Sequence, residues 1–192
     1  MGIAIQPNAS RVYVSFSAQI DATTTESLIA TMAQLANNRV EEVYLLLSSE
    51  GGTVMHGLNL YNVLRGMPFR LITHNAGNVD SIGNAVFLAG ETRYACEHSS
   101  FMFHGVGIAT QQGQRFDEKG LREGLGSIQA DQRRIGSVIA ERTSLEASDV
   151  SNLFLEAQTK DVAYAVSHGI VHEIRDIQIA PGDPVVALSF QR

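Results

Sequence analysis

Apolar residues occur in short runs along the first half of the chain, and longer segments with apolar residues at helical spacing separate those runs. Residues 11–16 alternate in the manner of a half-exposed strand, whereas 43–47 form an unbroken apolar run typical of a strand covered on both faces. A third run occupies 69–73, and helical periodicity follows the first two runs at 23–37 and 55–64. This alternation predicts an α/β fold built on a parallel sheet with right-handed crossovers.

Local signals mark the ends of several elements. Thr23 and Glu26 have the spacing of a capping box at the start of the first helix. Residues 75–78 have the composition of a turn, and 81–89 form the helix expected after it. Further along, the sequence predicts short strands at 94–96, 100–103 and 171–179, and a last helix at 162–166 that ends at Gly169.

The segment 117–142 has the length and polarity of a long exposed helix. It contains four glycines, each of which costs about 1 kcal/mol relative to alanine inside a helix. We favour the interpretation that close packing against another chain offsets this cost. In the alternative interpretation, the helix is frayed or broken. The four residues are Gly120, Gly124, Gly126 and Gly136.

Composition and charge exclude several classes of protein. Of the 192 residues, 44% are hydrophobic and 18% are charged, which is an ordinary globular balance. The net charge of -6 argues against a nucleic-acid partner, and no apolar run approaches the roughly 20 residues that span a membrane. Cys96 is the lone cysteine, so no intrachain disulfide can form, and the N-terminal residues lack a secretory signal. We therefore expect a cytoplasmic protein that holds no metal and no cofactor.

Two turns at the carboxyl ends of predicted strands carry candidate chemistry, because ligand sites in open α/β sheets lie there. The first contains Gly51 and Gly52, which let the backbone approach a ligand, although a purely structural turn has the same sequence. The second contains Ser81, which either stands at a helix start that favours negative charge or simply caps that helix. His104 follows an apolar strand and precedes a glycine. It is either the base for Ser81, for which it is better placed than the other five histidines, or an ordinary core or surface histidine. The N–H groups of Gly52 and Ile82 are the candidate oxyanion donors.

Four segments resemble those of Clp protease proteolytic subunits, in the same order and spacing over residues 10–176. Residues 48–52 are similar to that family's "NSPGG" segment, 78–83 to its "AASMG" nucleophile turn, 102–104 to its "MIHQP" histidine segment, and 163–171 to its "EAVEYGLVD" ending.

The resemblance implies the ClpP/crotonase-like fold, a spiral of ββα units with a protruding handle helix. It also implies one domain over residues 1–192, with the handle at about 105–142, and assembly into a heptamer or tetradecamer. By position it makes Ser81 the nucleophile and His104 the general base. The same positions make the N–H groups of Gly52 and Ile82 the oxyanion hole.

Some positions depart from the family pattern. Glu50 replaces a proline beside the oxyanion hole, and Asp80 replaces a small residue before the nucleophile. The third catalytic residue of the family has no clean match; Glu156 is the best candidate and Asp161 the next. The segment ahead of Arg11 is short, which makes an ATPase partner doubtful because the family uses that region to meet its ATPase.

The resemblance leads to a ranked set of functions. The first is a serine-type endopeptidase that hydrolyses peptide bonds through an acyl-enzyme inside an oligomeric ring. The second is a non-catalytic assembly subunit, or pseudoenzyme, which Glu50, Asp80 and the unclear third residue favour. The third is a crotonase-type acyl-CoA enzyme, which shares the fold and the paired N–H donors.

Overall fold

The computed structural model describes residues 9–109, 115 and 117–190, and its strands form an eight-stranded sheet. The strands are β1 (Arg11–Ser17), β2 (Glu42–Ser49), β3 (Arg70–Asp80), β4 (Thr92–Ala95), β5 (Ser100–Met102), β6 (Thr159–Asp161), β7 (Glu173–Ile174) and β8 (Val185–Leu188). The helices are α1 (Ala22–Asn37), α2 (Val54–Arg65), α3 (Gly83–Leu88), α4 (Glu118–Arg142), α5 (Ala147–Glu156) and α6 (Val162–Ser167).

The sheet has the strand order β6-β5-β3-β2-β1-β8, with β4 pairing to β3 and β7 to β4. Every pairing is parallel except that of β5 with β6. The predicted parallel α/β arrangement is therefore confirmed for the described residues. Side chains from both layers fill the core, since strand residues such as Val14 and Leu45 and helix residues such as Leu28 and Phe87 are fully buried.

β3 continues through the segment that the sequence marks as a turn. Its first part pairs with β4 and its last three residues pair with β5. The change of partner occurs at Asn75, whose side chain donates to Ser100 O (2.8 Å) and accepts from Gly77 N (3.0 Å). The prediction of a turn at 75–78 is wrong because this side chain replaces the backbone bonds that a strand loses when it changes neighbours.

The start of α1 also differs from the prediction. Asp21, rather than Thr23, caps the helix: its carboxylate accepts from Thr24 N (2.9 Å), and Thr24 Oγ1 accepts from Asp21 N (3.0 Å). The reciprocal pair satisfies N–H groups that have no partner inside the helix. The bond from Thr24 N to the carboxylate, together with one from the Thr24 hydroxyl to the same oxygen (3.2 Å), holds the pKa of Asp21 below its usual value.

α4 matches the predicted helix almost to the residue. Asp117 caps it by accepting from Gly120 N (2.8 Å). Its buried side chains, Ile135, Val138 and Ile139, lie in the C-terminal half. The N-terminal half carries exposed Leu121 and Leu125, so the helix projects from the body as the predicted handle does. Residues 110–114 and 116 of that predicted region lie outside the described residues.

The C-terminal part of the chain departs from the prediction of a strand over 171–179. β7 contains two residues, and the chain then crosses to the far edge of the sheet, where β8 pairs with β1. Phe190 follows β8 and packs edge-on against Phe16, with ring centroids 5.9 Å apart. Among the helices of the described residues, none combines the length and apolar character needed to cross a bilayer.

Candidate active site

The glycine turn after β2 is held against the loop that precedes α1. Gly51 O accepts from Ile20 N (2.7 Å), and Ile20 O accepts from Thr53 N (2.9 Å). Gly51 and Gly52 have φ angles of 90° and 149°, and a Cβ on Gly52 would lie 2.1 Å from Ile20 O. Only glycine fits this turn. The N–H of Gly52 makes no hydrogen bond within the described part of the chain, so it is free to donate.

Ser81 occupies the sharp turn between β3 and α3. The sequence places it at the start of a helix, but the helix begins at Gly83 and Ser81 has a φ of 57°. This left-handed conformation costs roughly 1–2 kcal/mol for a residue with a side chain. A bond from Ser81 N to Met102 O (2.8 Å) holds it. A strained serine between a strand and a helix is the geometry of a nucleophile turn.

The glycine turn and the serine turn touch. A Cβ on Gly51 would lie 2.6 Å from Ser81 Cβ and 3.3 Å from Ser81 Oγ. The absence of a side chain at Gly51 therefore lets the hydroxyl stand beside the free N–H groups. Ile82 N, the second predicted donor, also has no hydrogen-bond acceptor in the described structure.

His104 lies two residues beyond β5 and is half-buried. Its Nδ1 is 2.8 Å from Gly105 O. A carbonyl oxygen only accepts, so this contact places the proton on Nδ1 and leaves the lone pair on Nε2. Gly105 N donates to Phe154 O (3.0 Å), which ties the segment to α5. The backbone thus sets the tautomer that a general base requires.

A cavity of about 90 Å³ brings the predicted site residues together. Gly52, Ser81, Ile82 and His104 all line it. Apolar side chains close its other walls, and these were not predicted as site residues because they come from distant helices: Ile135 and Ile139 of α4 and Phe154 of α5. No hydrogen bond joins the Ser81 hydroxyl to the His104 ring in the described structure. Catalytic contacts often tighten only when substrate binds.

The two candidates for a third catalytic residue, Glu156 and Asp161, are not among the residues that line this cavity. Glu156 Oε2 accepts from Lys160 Nζ (2.9 Å), and Asp161 caps α6 by accepting from Tyr164 N (2.8 Å). Within the described residues neither carboxylate bonds to His104. An acid partner for His104 stays a prediction.

The two acidic departures from the family pattern do not line the small cavity. Asp80 Oδ2 accepts from Asn78 Nδ2 (2.7 Å), and Asn78 Oδ1 accepts from Ser48 Oγ (3.0 Å). Glu50 lines a separate polar groove of about 580 Å³ together with Asp21. That larger groove has no histidine among its lining residues, so the smaller cavity is the candidate active site.

Cys96 and His74, two further reactive side chains, do not line this cavity. Cys96 follows β4, and burial raises the pKa of its thiol, so the thiolate that a nucleophile needs is disfavoured. The His74 ring, 3.6 Å from Cys96 Sγ, bonds to Arg175 O (2.8 Å). Burial lowers the pKa of His74. No group of three or more possible metal ligands occurs in the described residues.

Comparisons with known proteins agree with this architecture. The family model described as Clp protease matches residues 8–178. An ATP-dependent Clp protease proteolytic subunit from Oltmannsiellopsis viridis is 25% identical over 159 residues, which cover 81% of this chain and 79% of that protein. An ATP-dependent Clp protease proteolytic subunit 1 from Corynebacterium jeikeium is 29% identical over 101 residues, covering 49% of this chain and 54% of that protein.

A solved structure of a ClpP1 mutant from Listeria monocytogenes superposes with a TM-score of 0.75. It is 20% identical and the match covers 86% of this chain and 92% of the other. At this identity the likeness concerns the fold. The predicted ClpP fold is confirmed.

Proposed function

The chain belongs to the Clp protease family, and from that membership we propose that it is a serine peptidase with Ser81 as its nucleophile. The observation that carries the proposal is the cavity in which a strained serine, a histidine with Nδ1 bonded to a carbonyl, and two backbone N–H groups without an acceptor among the described residues converge. Each of these features suits acyl transfer, and their convergence is what that chemistry requires.

In the proposed reaction the Ser81 hydroxyl attacks the peptide carbonyl while His104 Nε2 takes its proton. The N–H groups of Gly52 and Ile82 donate to the tetrahedral oxyanion. His104 returns the proton to the leaving amine, which leaves an acyl group on Ser81, and water activated by the same imidazole releases it. Gly105 O holds the ring in the required tautomer, a role that a carboxylate has in a full triad.

We also propose that the chain works as a homo-oligomer on peptides or unfolded proteins. The projecting half of α4 supports this, because Leu121 and Leu125 are 60% and 55% exposed there. The similar proteins from Oltmannsiellopsis and Corynebacterium are named as subunits. A heptamer or tetradecamer and a cytoplasmic location stay predictions.

A non-catalytic assembly subunit is the second candidate. Two observations on the described residues favour it: the Ser81 hydroxyl makes no hydrogen bond to the His104 ring, and the ring has a carbonyl rather than a carboxylate on Nδ1. The family assignment favours both of these candidates over the crotonase-type acyl-CoA enzyme.

The test is labelling by a fluorophosphonate together with hydrolysis of short fluorogenic peptides. We expect Ser81→Ala to lose labelling and to lower turnover by about three orders of magnitude or more. Ser27→Ala is the control, since Ser27 lies on α1 and its hydroxyl donates to Thr23 O (2.8 Å), within the same helix. Equal labelling of wild type and Ser81→Ala would reject Ser81. A folded, assembled wild type that neither reacts nor hydrolyses would support the non-catalytic candidate.

A further inference from the structure

A buried asparagine bridges the two segments that carry the candidate nucleophile and base. Asn84 lies on α3 and is 1% exposed. Its Nδ2 donates to Ser81 O (3.0 Å) and to Met102 O (2.8 Å). One carbonyl belongs to the nucleophile turn, and the other ends the strand that leads to His104.

We propose that Asn84 is a positioning residue that sets the separation between Ser81 and His104. The proposal rests on the proposed peptidase function. β5 has only three residues, so few backbone bonds fix the direction in which the chain leaves it. Met102 stands two residues before His104, and its carbonyl accepts from both Ser81 N and Asn84 Nδ2. A shift of that carbonyl therefore moves the base relative to the nucleophile.

The same amide also holds the strained conformation of Ser81. Both backbone polar groups of Ser81 are occupied: its N–H donates to Met102 O, and its carbonyl accepts from the backbone and the side chain of Asn84. A residue with a φ of 57° persists only when its surroundings over-determine it. Asn84 supplies one of the bonds that do so.

Packing stability alone does not explain an asparagine at this position. Asn84 Oδ1 is buried and has no hydrogen-bond partner among the described residues, which is unfavourable for a buried acceptor. Two carbonyl oxygens flank the nitrogen, so the amide cannot be reversed to relieve this. The asparagine is therefore better explained by the two hydrogen bonds that its Nδ2 donates to Ser81 O and Met102 O than by its contribution to packing.

Asn75 provides a matched control at the other end of β5. It is also fully buried, and its Nδ2 donates to Ser100 O (2.8 Å). Its Oδ1 accepts from Gly77 N, and it makes no hydrogen bond to Ser81. Asn75 thus anchors the same short strand without connecting it to the nucleophile turn.

The experiment compares wild type with Asn84→Ala, Asn84→Ser and Asn75→Ala. A serine at position 84 can bond the carbonyl three residues back, that of Ser81, but is too short to reach Met102 as well. For Asn84→Ala we expect kcat and the rate of fluorophosphonate labelling to fall on the order of 10- to 100-fold, with KM little changed, because misplacement of about 1 Å has an effect of that size. Asn84→Ser is expected to recover none of the kcat. Asn75→Ala should lower Tm but keep kcat within about threefold, because it leaves the Ser81–Met102 connection intact.

Each outcome bears on the proposal. An active wild type with unchanged kcat in Asn84→Ala overturns the positioning role and leaves the proposed function standing. An equal loss of kcat in Asn75→Ala, or full recovery in Asn84→Ser, also overturns it, since the bridge to Met102 is then not what matters. If Asn84→Ala does not fold, Asn84→Ser carries the same comparison with Asn75→Ala. A wild type that is neither labelled nor active overturns the proposed function and this role together.

Discussion

Replacing Gly52 by alanine tests the glycine turn and the oxyanion hole in one variant. The added Cβ would lie 2.1 Å from Ile20 O, 2.8 Å from Ile20 C and 2.9 Å from Ile20 N. Carbon and oxygen atoms that are not bonded approach to about 3.3 Å, so the two segments must separate by more than an ångström. The obstacle is backbone on both sides, and no side-chain rotation can relieve it.

The expected loss of stability follows from the bonds that this separation breaks. Ile20 N donates to Gly51 O and Ile20 O accepts from Thr53 N, and each such bond contributes about 1 kcal/mol. Alanine at a φ of 149° adds strain of about 1–3 kcal/mol. We therefore expect Gly52→Ala to lower the free energy of unfolding by about 3–5 kcal/mol, measured by urea denaturation.

The same displacement moves the Gly52 N–H away from the oxyanion. Loss of one such donor lowers kcat by about 10²- to 10³-fold, and we expect an effect of this size on fluorogenic peptides at a temperature where the variant is folded. Gly66→Ala is the matched control. Gly66 has a φ of -87°, and the nearest atom to its new Cβ is Val63 O at 3.5 Å, so stability should change by less than about 0.5 kcal/mol.

Two results would refute this reasoning separately. A Gly52→Ala variant as stable as wild type would show that the turn is not packed on Ile20 as described. A destabilised variant with unchanged kcat would show that Gly52 does not supply an oxyanion donor, and the proposed mechanism would lose one of its two donors.

Two further predictions concern the titratable side chains of His74 and Glu156. Because burial lowers the pKa of His74 below that of the unfolded chain, the unfolded state binds a proton more readily. The contribution of this group to wild-type stability should therefore fall as pH drops below about 6.5, by at most about 1.4 kcal/mol per pH unit. His74→Gln, which can still donate to Arg175 O, should reduce that slope in urea unfolding, and identical slopes would contradict the assignment. Glu156→Gln should keep kcat within about threefold, because Lys160 pairs with the carboxylate and Gly105 O already orients His104. A 100-fold loss of kcat would instead identify Glu156 as the acid behind the imidazole.

Several features were predictable because their causes lie within a few residues of one another. The helix predicted at 117–142 differs by one residue from α4, since the length and polarity of a segment can be read from neighbouring positions in the sequence. Gly169 was expected to end the last helix, and it takes a φ of 68° just after α6. Ser81 and His104 were identified as candidates because each follows a predicted strand at a position where side chains project into a site.

Other features depended on partners far away in the chain. β6 and β8 have three and four residues, too few for a periodic signal, and each forms through pairing with a strand that is distant in sequence. The predicted strand at 69–73 ends seven residues before β3 does. The continuation of β3 depends on the bond from Asn75 to Ser100, which lies twenty-five positions away and has no local signal. The role of Gly105 O at the imidazole had no sequence signal, since a carbonyl is present at every residue.

The amino-acid sequence by itself determined the first strands and helices, the long helix α4, the glycine turn and the choice of Ser81 and His104 as candidates, because hydrophobic period and turn chemistry are local properties. Tertiary structure alone decided that Ser81 stands at the apex of a turn and not inside a helix, since its conformation is held by Met102 and Asn84. It also decided that Glu156 pairs with Lys160 and that a carbonyl holds the ring of His104. These hydrogen bonds depend on which groups long-range packing brings within about 3 Å of each other. The separation of two residues along the sequence does not reveal whether they come that close in the fold.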